Sequence, residues 1–400
     1  MGEQLFSDLL VLDVGSFVAG PAAATILADF GANVIKVEPP GAGDPYRRLG
    51  DLPGMPDSEH NYCWMLDSRN KKSLSLDLKS EQGYDILIQL VQKADIFVTN
   101  YPFPVRKRLK LEYENLASKN DKLIYASLTP YGEKGAEANR SAFDSTAWWA
   151  RSGMMDSMRL PENPPNTSAP GMGDHPTAMS LYAGIVSALY KRTKTGKGAY
   201  VSTSLMANGI WSNGILAQAE LVGATFHQRQ KQSRNALGNL YATSDERWFL
   251  LLMLSEEKQW PAFSEAVGHP EWQKDPRFAE ISERRENAPI LADMLSGIFR
   301  SKAWDEWRDI LTQHGITFGV VGKLADHRHD PQMFDSGTLI PMTYSDNTVG
   351  LTVSSPVWIE GEEKLNGGPA PEVGEHTQQI LGELGLDEST LITLKQQGII

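Results

Sequence analysis

The chain has 400 residues, of which 41% are hydrophobic and 22% are charged, values typical of a globular protein whose length favours two domains. Its formal net charge of −12 disfavours nucleic acid as the main partner, because phosphate binding favours a basic surface. The single cysteine, Cys63, excludes an intramolecular disulfide and a cysteine metal cluster.

The N-terminal residues lack a basic segment followed by an apolar one, so we predict no signal peptide. No apolar run approaches the roughly 20 residues needed to cross a bilayer. We therefore expect a cytoplasmic protein that has no membrane partner.

The first predicted elements are a strand, a helix and a strand. Residues 9–14 form a short apolar run suited to a strand buried on both faces. A helix follows over residues 22–30, with Pro21 in its first turn and Gly31 after its end. The second strand covers residues 33–38.

This strand and helix alternation continues along the chain. We predict strands over residues 73–78, 95–99 and 122–128, and a helix from a Ser80 cap to about residue 93. Such alternation indicates an α/β domain with a Rossmann-like parallel sheet, whose ligand crevice lies at the carboxyl ends of the strands.

The second half of the chain changes in character. A nearly all-apolar helix over residues 179–191 is expected to be buried, and a strand over 199–204 follows it. We assign residues 1–220 to a large domain and residues 221–325 to a smaller α+β domain. The elements predicted in and after the smaller domain are a strand over 248–253 and helices over 288–299, 304–313 and 377–384.

Three segments of the chain are distinctive: VLDVGSFVAGPAAATILADFGANVIKVE at 11–38, GMGDHPTAMSLY at 171–182 and TGKGAYVSTSL at 195–205. With other segments in the same order, they resemble family III CoA-transferases, the CaiB/BaiF-type group of formyl-CoA and carnitine CoA-transferases. The resemblance implies a large domain formed by both termini, with residues 326–400 as the linker and C-terminal return. It also implies an inserted small domain and an interlocked homodimer.

The resemblance further implies that CoA passes from an acyl-CoA donor to a carboxylic acid acceptor through an aspartyl anhydride and an aspartyl-CoA thioester. Coenzyme A is then a substrate, with no permanently bound cofactor. The matching nucleophile is Asp174, which follows Gly173. Asp-His-Pro-Thr also fits a helix N-cap, and the two interpretations are compatible because a helix N-terminus holds a carboxylate ionised.

Two adjacent residues, which precede a helix expected to contain Trp148 and Trp149, bear on the reaction type. Asp144 matches an acidic position beside the family site, although an ordinary turn or cap aspartate is equally consistent with it. Family members that act as α-methylacyl-CoA racemases have a histidine where this chain has Phe143. Without that second base, two-base racemisation is difficult, so transfer is favoured.

The resemblance also assigns a CoA-binding set on strand-end loops. Lys71, Lys72, Arg106 and Lys107 are expected to add positive charge there, although each could belong to a solvated basic face. The matching CoA-binding positions are Val18, Ala19, Leu76, Asp77, Leu78, Lys79, Asn100, Tyr101, Phe103 and Arg108.

Departures from the formyl-CoA enzyme bear on the substrate. Val18 replaces a glutamine near the reacting acyl group, and residues 235–239 (NALGN) stand in place of a glycine-rich loop. The substrate is therefore expected to be neither formyl nor oxalyl. With Phe143, an apolar acyl pocket is predicted to include three residues that could instead be core: Trp148, Trp149 and Met154.

Other functions fit less well. An NAD-dependent oxidoreductase could use Glu38 on a ribose hydroxyl, but residues 14–21 lack the GxGxxG spacing. His327, His329 and Asp330 lack further metal ligands, so we predict no metal site. A non-catalytic CoA-binding protein would leave Asp174 without a role.

Overall fold

The computed structural model describes residues 4–160, 162–226 and 235–400. The prediction of no signal peptide falls partly on residues 1–3, outside the described residues. Two compact units are found, one within Met1–Met158, Pro165–Thr225 and Gln332–Ile400, and another within Arg159–Pro164 and Phe226–Pro331. No helix of the described residues is long and apolar enough to span a membrane.

A six-stranded sheet forms the centre of the first unit, and all of its strand pairs are parallel. This confirms the predicted α/β class. The spatial order is β3-β2-β1-β4-β5-β6. The strands are β1 Leu10–Asp13, β2 Asn33–Glu38, β3 Lys72–Ser75, β4 Ile96–Thr99, β5 Ile124–Thr129 and β6 Ala199–Ser204.

Helices cover the sheet. Every residue of helix α1 (Ala19–Asp29) is buried, because its small side chains allow close packing against the sheet and against helix α7 (Asp174–Thr195). A 3-10 turn at Pro45–Asp51 and a π-helical segment at Ser145–Ala150 complete this part. The helices are α1 Ala19–Asp29, α2 Tyr62–Ser68, α3 Glu81–Lys93, α4 Phe103–Arg108, α5 Tyr113–Ala117, α6 Met154–Ser157, α7 Asp174–Thr195, α8 Leu205–Ser212 and α9 Gly214–Leu221.

The long helix α7 differs from its prediction. It was expected to be buried all round, but only one face is buried, including Leu181 and Ile185, while the Tyr190 side chain is exposed. The helix is also longer than predicted, because polar residues extend it in both directions beyond the apolar run. Gly196, at φ +71, ends it.

The second unit combines an antiparallel sheet with helices around an aromatic core. Its strands are β7 Gly238–Ala242, β8 Trp248–Leu252 and β9 Phe318–Val320. Its helices are α10 Glu256–Ala266, α11 Ile281–Glu286, α12 Ala288–Phe299 and α13 Trp304–Gln313, with 3-10 turns at Pro270–Gln273 and Leu324–His329.

The C-terminal segment packs in the first unit beside β3. The backbone N–H of Asp77 donates to the Ile399 carbonyl at 2.8 Å, and that of His376 donates to the Ser73 carbonyl at 3.0 Å. Sequence patterns predicted only one short helix here. The elements are α14 Pro331–Asp335, β10 Leu339–Thr343 and β11 Val349–Val353 as a hairpin, α15 Thr377–Glu383 and α16 Glu388–Gln396.

Candidate active site

A cavity of about 400 Å³ lies at the carboxyl ends of β1, β4 and β5, where a parallel sheet is expected to bind its ligand. A larger hollow of about 610 Å³ lies on the second unit, but no carboxylate belongs to its described lining. The wall of the first cavity consists of residues 16–19, 100–103, 105, 128–130, 138–143, 174 and 205.

The turn after β1 is held in an unusual backbone conformation at the cavity wall. Phe17 has φ +59, in the left-handed region that costs a non-glycine residue about 1–2 kcal/mol. The Asn100 amide accepts from the Ser16 N–H at 2.8 Å and donates to the Ser16 carbonyl at 2.6 Å. The Asp44 carboxylate accepts from the Phe17 N–H at 3.2 Å. These contacts hold Phe17 in place, as strained residues at functional sites require.

A buried ion-pair network supports this turn from behind. Lys36 Nζ lies 2.7 Å from Asp44 Oδ2 and donates to the Gly15 carbonyl at 2.8 Å. Lys71 Nζ lies 2.9 Å from Asp13 Oδ2. Both lysines are buried and paired, so the expectation that Lys71 offers positive charge to CoA is wrong.

Arg106 is also committed to the fold. Its buried guanidinium donates to the Tyr101 carbonyl at 2.6 Å and to Ser127 Oγ at 2.7 Å. The expectation that it adds charge for CoA is therefore wrong as well. Three of its five N–H groups donate within the protein, and the group is buried, so it is not presented to a phosphate.

Tight packing fixes the start of α7. A Cβ added to Gly173 would lie 2.5 Å from Trp148 Cγ, so only glycine is accommodated without displacing the indole. The Gly173 N–H donates to Asp144 Oδ2 at 3.1 Å. Asp144 is buried, and its other oxygen accepts from the Ser145 N–H at 2.7 Å. The two carboxylates predicted from the resemblance, Asp174 and Asp144, are thus brought to the same place.

The charge state of Asp174 differs from the sequence-based expectation. Burial, and then the negative charge of Asp144, raise the pKa of Asp174 to about 7, while the positive charge of His175 acts in the opposite direction. The helix N-terminus was expected to hold this carboxylate ionised.

The expectation of an N-cap at Asp174 is also wrong. The helix has Gly173 as its N-cap and Asp174 as its first residue, so the side chain has no capping geometry. Among the described residues, none donates a hydrogen bond to the Asp174 carboxylate. The free-energy cost of removing this carboxylate from water is therefore not offset by a hydrogen bond, which explains why burial has the largest effect on its pKa.

A hydrogen-bonded chain next to Asp174 was not predicted. His175 Nε2 lies 3.1 Å from Asp67 Oδ1, and the Tyr46 hydroxyl donates to Asp67 Oδ2 at 2.5 Å. Burial alone would lower the pKa of His175, but the hydrogen bond and charge of Asp67 raise it to about 9. The sequence signal for it was a histidine directly after Asp174, since Asp67 lies 108 residues from His175 in the chain.

The predicted CoA-binding residues divide into two groups. Val18, Ala19, Asn100, Tyr101 and Phe103 line the cavity. The others do not belong to its lining: Leu76 is buried, Asp77 and Leu78 are half-buried near the C-terminal segment, and Lys79 and Arg108 are exposed. A role for the second group in CoA binding stays a prediction.

The predicted acyl-pocket residues divide in the same way. Phe143 lines the cavity and is 61% exposed, and its ring meets that of Phe17 edge-to-face at 5.7 Å. Trp148, Trp149 and Met154 are instead buried in the hydrophobic core and do not belong to the cavity wall. Phe17, which no sequence pattern indicated, lines the cavity where these three residues were expected, because its left-handed backbone brings it there.

Comparison with known proteins gives one consistent family. A family model described as CoA-transferase family III matches residues 6–377. The chain is 31% identical over 398 residues to the (R)-2-hydroxy-4-methylpentanoate CoA-transferase of Clostridioides difficile, covering 99% of this chain and 100% of that protein. It is 32% identical over 398 residues to the cinnamoyl-CoA:phenyllactate CoA-transferase of Clostridium sporogenes, covering 98% and 96%.

A solved structure has the same architecture. The crystal structure of a CAIB/BAIF family protein from Brucella suis superposes with a TM-score of 0.84 at 26% identity. The similarity covers 96% of this chain and 100% of that one. The agreement therefore extends over both units of the chain.

Proposed function

Because the chain belongs to CoA-transferase family III, we propose that it moves CoA from an acyl-CoA to a free carboxylic acid, with Asp174 as the nucleophile. The chain is a CoA-transferase; the proposal concerns its mechanism and substrates. The observation that supports it is the Asp174 carboxylate in the wall of the strand-end cavity, beside Asp144 and at the start of α7.

The proposed reaction needs no oxidant, reductant or metal. An Asp174 oxygen attacks the thioester carbonyl carbon, the carbon–sulfur bond breaks, and CoA leaves as the thiolate with the bonding electron pair. The thiolate attacks the aspartyl carbonyl of the resulting mixed anhydride and releases the donor acid as a carboxylate. This leaves an aspartyl-CoA thioester on the enzyme.

The second half of the proposed reaction repeats these steps with the acceptor. The acceptor carboxylate attacks the aspartyl thioester and expels the CoA thiolate, which gives a second mixed anhydride. The thiolate then attacks the acceptor's carbonyl carbon, forms the new acyl-CoA and frees the Asp174 carboxylate. Because its pKa is about 7, Asp174 is a more basic nucleophile than an ordinary aspartate once ionised.

We propose an acyl group that is larger and more apolar than formyl or oxalyl. Two relatives are named for 2-hydroxy-4-methylpentanoate and for cinnamoyl-CoA and phenyllactate, which carry branched or aromatic groups. The rings of Phe17 and Phe143 meet at the cavity wall beside Asp174. An apolar acyl group would cover these rings, which a dicarboxylate would not do favourably.

Racemisation of an acyl-CoA is not favoured by the site. Phe143 stands where the racemases of this fold have a histidine, and its side chain carries no group that can exchange a proton. The relatives reported above are named as CoA-transferases. Transfer therefore accounts for the site with the residues that are present.

We also propose that the protein is a homodimer. Apolar side chains on α8 and α9 are exposed in the single chain, with Trp211 at 85% and Ile215 at 88%. Exposed apolar surface of this kind marks an interface. A second copy is the proposed occupant, in line with the interlocked pair that the resemblance implies. The exposed members are Ile210, Trp211, Ile215, Leu216, Leu221 and Val222.

Replacement of the nucleophile tests the proposed mechanism. We expect Asp174→Ala to lower transfer by about 1000-fold or more while CoA affinity changes only a few-fold, because the group acts in chemistry and not in binding. Turnover is measured with a panel of acyl-CoAs and free acids, and CoA affinity by calorimetry. Asp8→Ala, at an exposed aspartate of the same unit, serves as the control. Wild-type turnover by Asp174→Ala would contradict the proposal.

A further inference from the structure

Both ring nitrogens of His175 face hydrogen-bond acceptors. Nδ1 lies 3.0 Å from the Gly171 carbonyl oxygen, and Nε2 lies 3.1 Å from Asp67 Oδ1. A carbonyl oxygen only accepts, so Nδ1 must carry a proton. The chain continues inward, because Asp67 is buried and its other oxygen accepts from the Tyr46 hydroxyl.

This arrangement favours the doubly protonated ring. The Asp67 carboxylate accepts from the Tyr46 hydroxyl on one oxygen, and its other oxygen faces Nε2, where the matching donor is an N–H. Both nitrogens therefore donate, which only the imidazolium can do. The side chain is 44% exposed, so solvent also helps to stabilise its charge.

The same ring closes the turn that leads to the nucleophile. Gly171 has φ +74, and a Cβ added there would lie 3.1 Å from two atoms of the His175 ring. The His175 backbone N–H also donates to the Gly171 carbonyl at 3.1 Å. His175 is thus bonded, through its backbone and its side chain, to Gly171, which lies three residues before Asp174.

Among the described residues, the His175 ring is the group whose positive charge acts on the Asp174 carboxylate. The ionisable groups that act on Asp174 are Asp144, at the start of the π-helical segment, Asp67 in α2, and His175 in α7 itself. Two of the three are negative and disfavour a third negative charge. His175 supplies the positive charge that offsets them.

We propose that His175 is a positioning residue for CoA transfer: held by Asp67 and Tyr46 as an imidazolium, it closes the 171–174 turn and allows Asp174 to ionise beside Asp144. The inference rests on the proposed function in that Asp174 is the nucleophile. Its tests nevertheless use the free enzyme and do not depend on turnover.

The first test measures the protonation of His175 directly. NMR of protein labelled with isotope in its histidines reports the imidazolium form of each ring against pH, and His175→Gln assigns the signal. We expect the imidazolium to persist to about pH 8, and Asp67→Asn to lower its titration midpoint by at least about one pH unit. His269, paired with Glu271 on the surface of the second unit, is the control and should not move. A neutral His175 ring at pH 7, or an unchanged midpoint in Asp67→Asn, would overturn the proposal.

The second test measures Asp174. A carbodiimide with glycinamide modifies protonated carboxyl groups, so the rate at which mass spectrometry finds Asp174 modified falls as the group ionises. We expect a midpoint near pH 7 in the wild type, moved upward by at least about half a unit in His175→Gln. If His175 had only a structural role, His175→Gln would change the modification rate of Asp174 without moving its midpoint. That result would contradict the proposed electrostatic effect of His175 on Asp174.

Folding of each variant is checked by near-UV circular dichroism across the pH range. If His175→Gln does not fold, His175→Asn is used in the carbodiimide experiment, because it also removes the charge of the ring and leaves Asp67 and Tyr46 in place. Loss of the His175 charge in that variant should move the Asp174 midpoint upward too. An unmoved Asp174 midpoint in a folded variant without the His175 ring would refute the role.

Discussion

At the scale of single residues, Asp174, the proposed nucleophile, lies where opposing charges act. Burial and the negative charge of Asp144 raise the pKa of Asp174, whereas the positive charge of His175 lowers it. The resemblance located Asp174 and Asp144 because each belongs to a short recognisable segment. His175, Asp67 and Tyr46 were missed as a group, since their relation depends on contacts between distant segments and on no local pattern.

The first prediction at this scale concerns pH. In the proposed mechanism the ionised form of Asp174 is the nucleophile. Its pKa is about 7, so kcat/KM should rise as pH rises through about 7 and level off above it. Asp144→Asn removes a negative charge that raises this pKa, so the midpoint should move to lower pH. The measurement is kcat/KM against pH with the best acyl-CoA of the panel. A midpoint that rises, or stays in place, in Asp144→Asn would show that Asp144 does not act on the nucleophile.

At the scale of elements, the parallel strands were predicted to within a few residues because most are short apolar runs between turn residues, although β3 and β6 contain several polar residues. The boundaries of α7 were less well predicted, since its polar ends follow tertiary contacts and its apolar run was taken as buried on all sides. The left-handed turn at Phe17 has no sequence signal, because it is imposed by Asn100 and Asp44.

A prediction at this scale tests the packing that places the start of α7. Gly173→Ala would bring a methyl group to 2.5 Å from Trp148 Cγ. We expect a loss of about 1–3 kcal/mol in the free energy of unfolding, together with a large loss of transfer because Asp174 is displaced. Calorimetry and turnover are measured together. Gly382→Ala, at a helical glycine of the same unit whose added Cβ meets nothing within 4 Å, should be neutral or stabilising.

The packing account has a clear point of failure. If Gly173→Ala kept both the stability and the turnover of the wild type, the close contact with Trp148 would not be what fixes the position of Asp174. A change in the free energy of unfolding no larger than that of Gly382→Ala would mean the same.

At the scale of the whole molecule, length and composition predicted a globular chain of more than one domain, and the structure divides into two compact units. The family was predicted from segments spread along almost the whole chain, and the comparisons confirm the family and its CoA-transferase activity. The aspartyl intermediates stay a prediction. Pairing with a second copy has no signature in composition or periodicity. The resemblance implied it, and the exposed apolar side chains of α8 and α9 support it.

Oligomeric state is the prediction at this scale. We expect sedimentation analysis of the wild type to give a dimer. The double variant Trp211→Glu and Ile215→Glu should weaken the dimer strongly, because two charges would have to be buried in an apolar interface. A wild-type monomer at micromolar concentration, or a double variant that remains a stable dimer, would contradict this assignment of the surface.

The central claim, an acyl or CoA group carried on Asp174, is tested most directly by chemical trapping. The enzyme is incubated with each acyl-CoA, treated with hydroxylamine, and digested for peptide mass spectrometry. Both proposed intermediates carry an activated aspartyl carbonyl, so we predict a hydroxamate on Asp174 that forms only when a competent acyl-CoA is present. A hydroxamate on another carboxylate, or transfer turnover with no adduct on any carboxylate, would contradict the account.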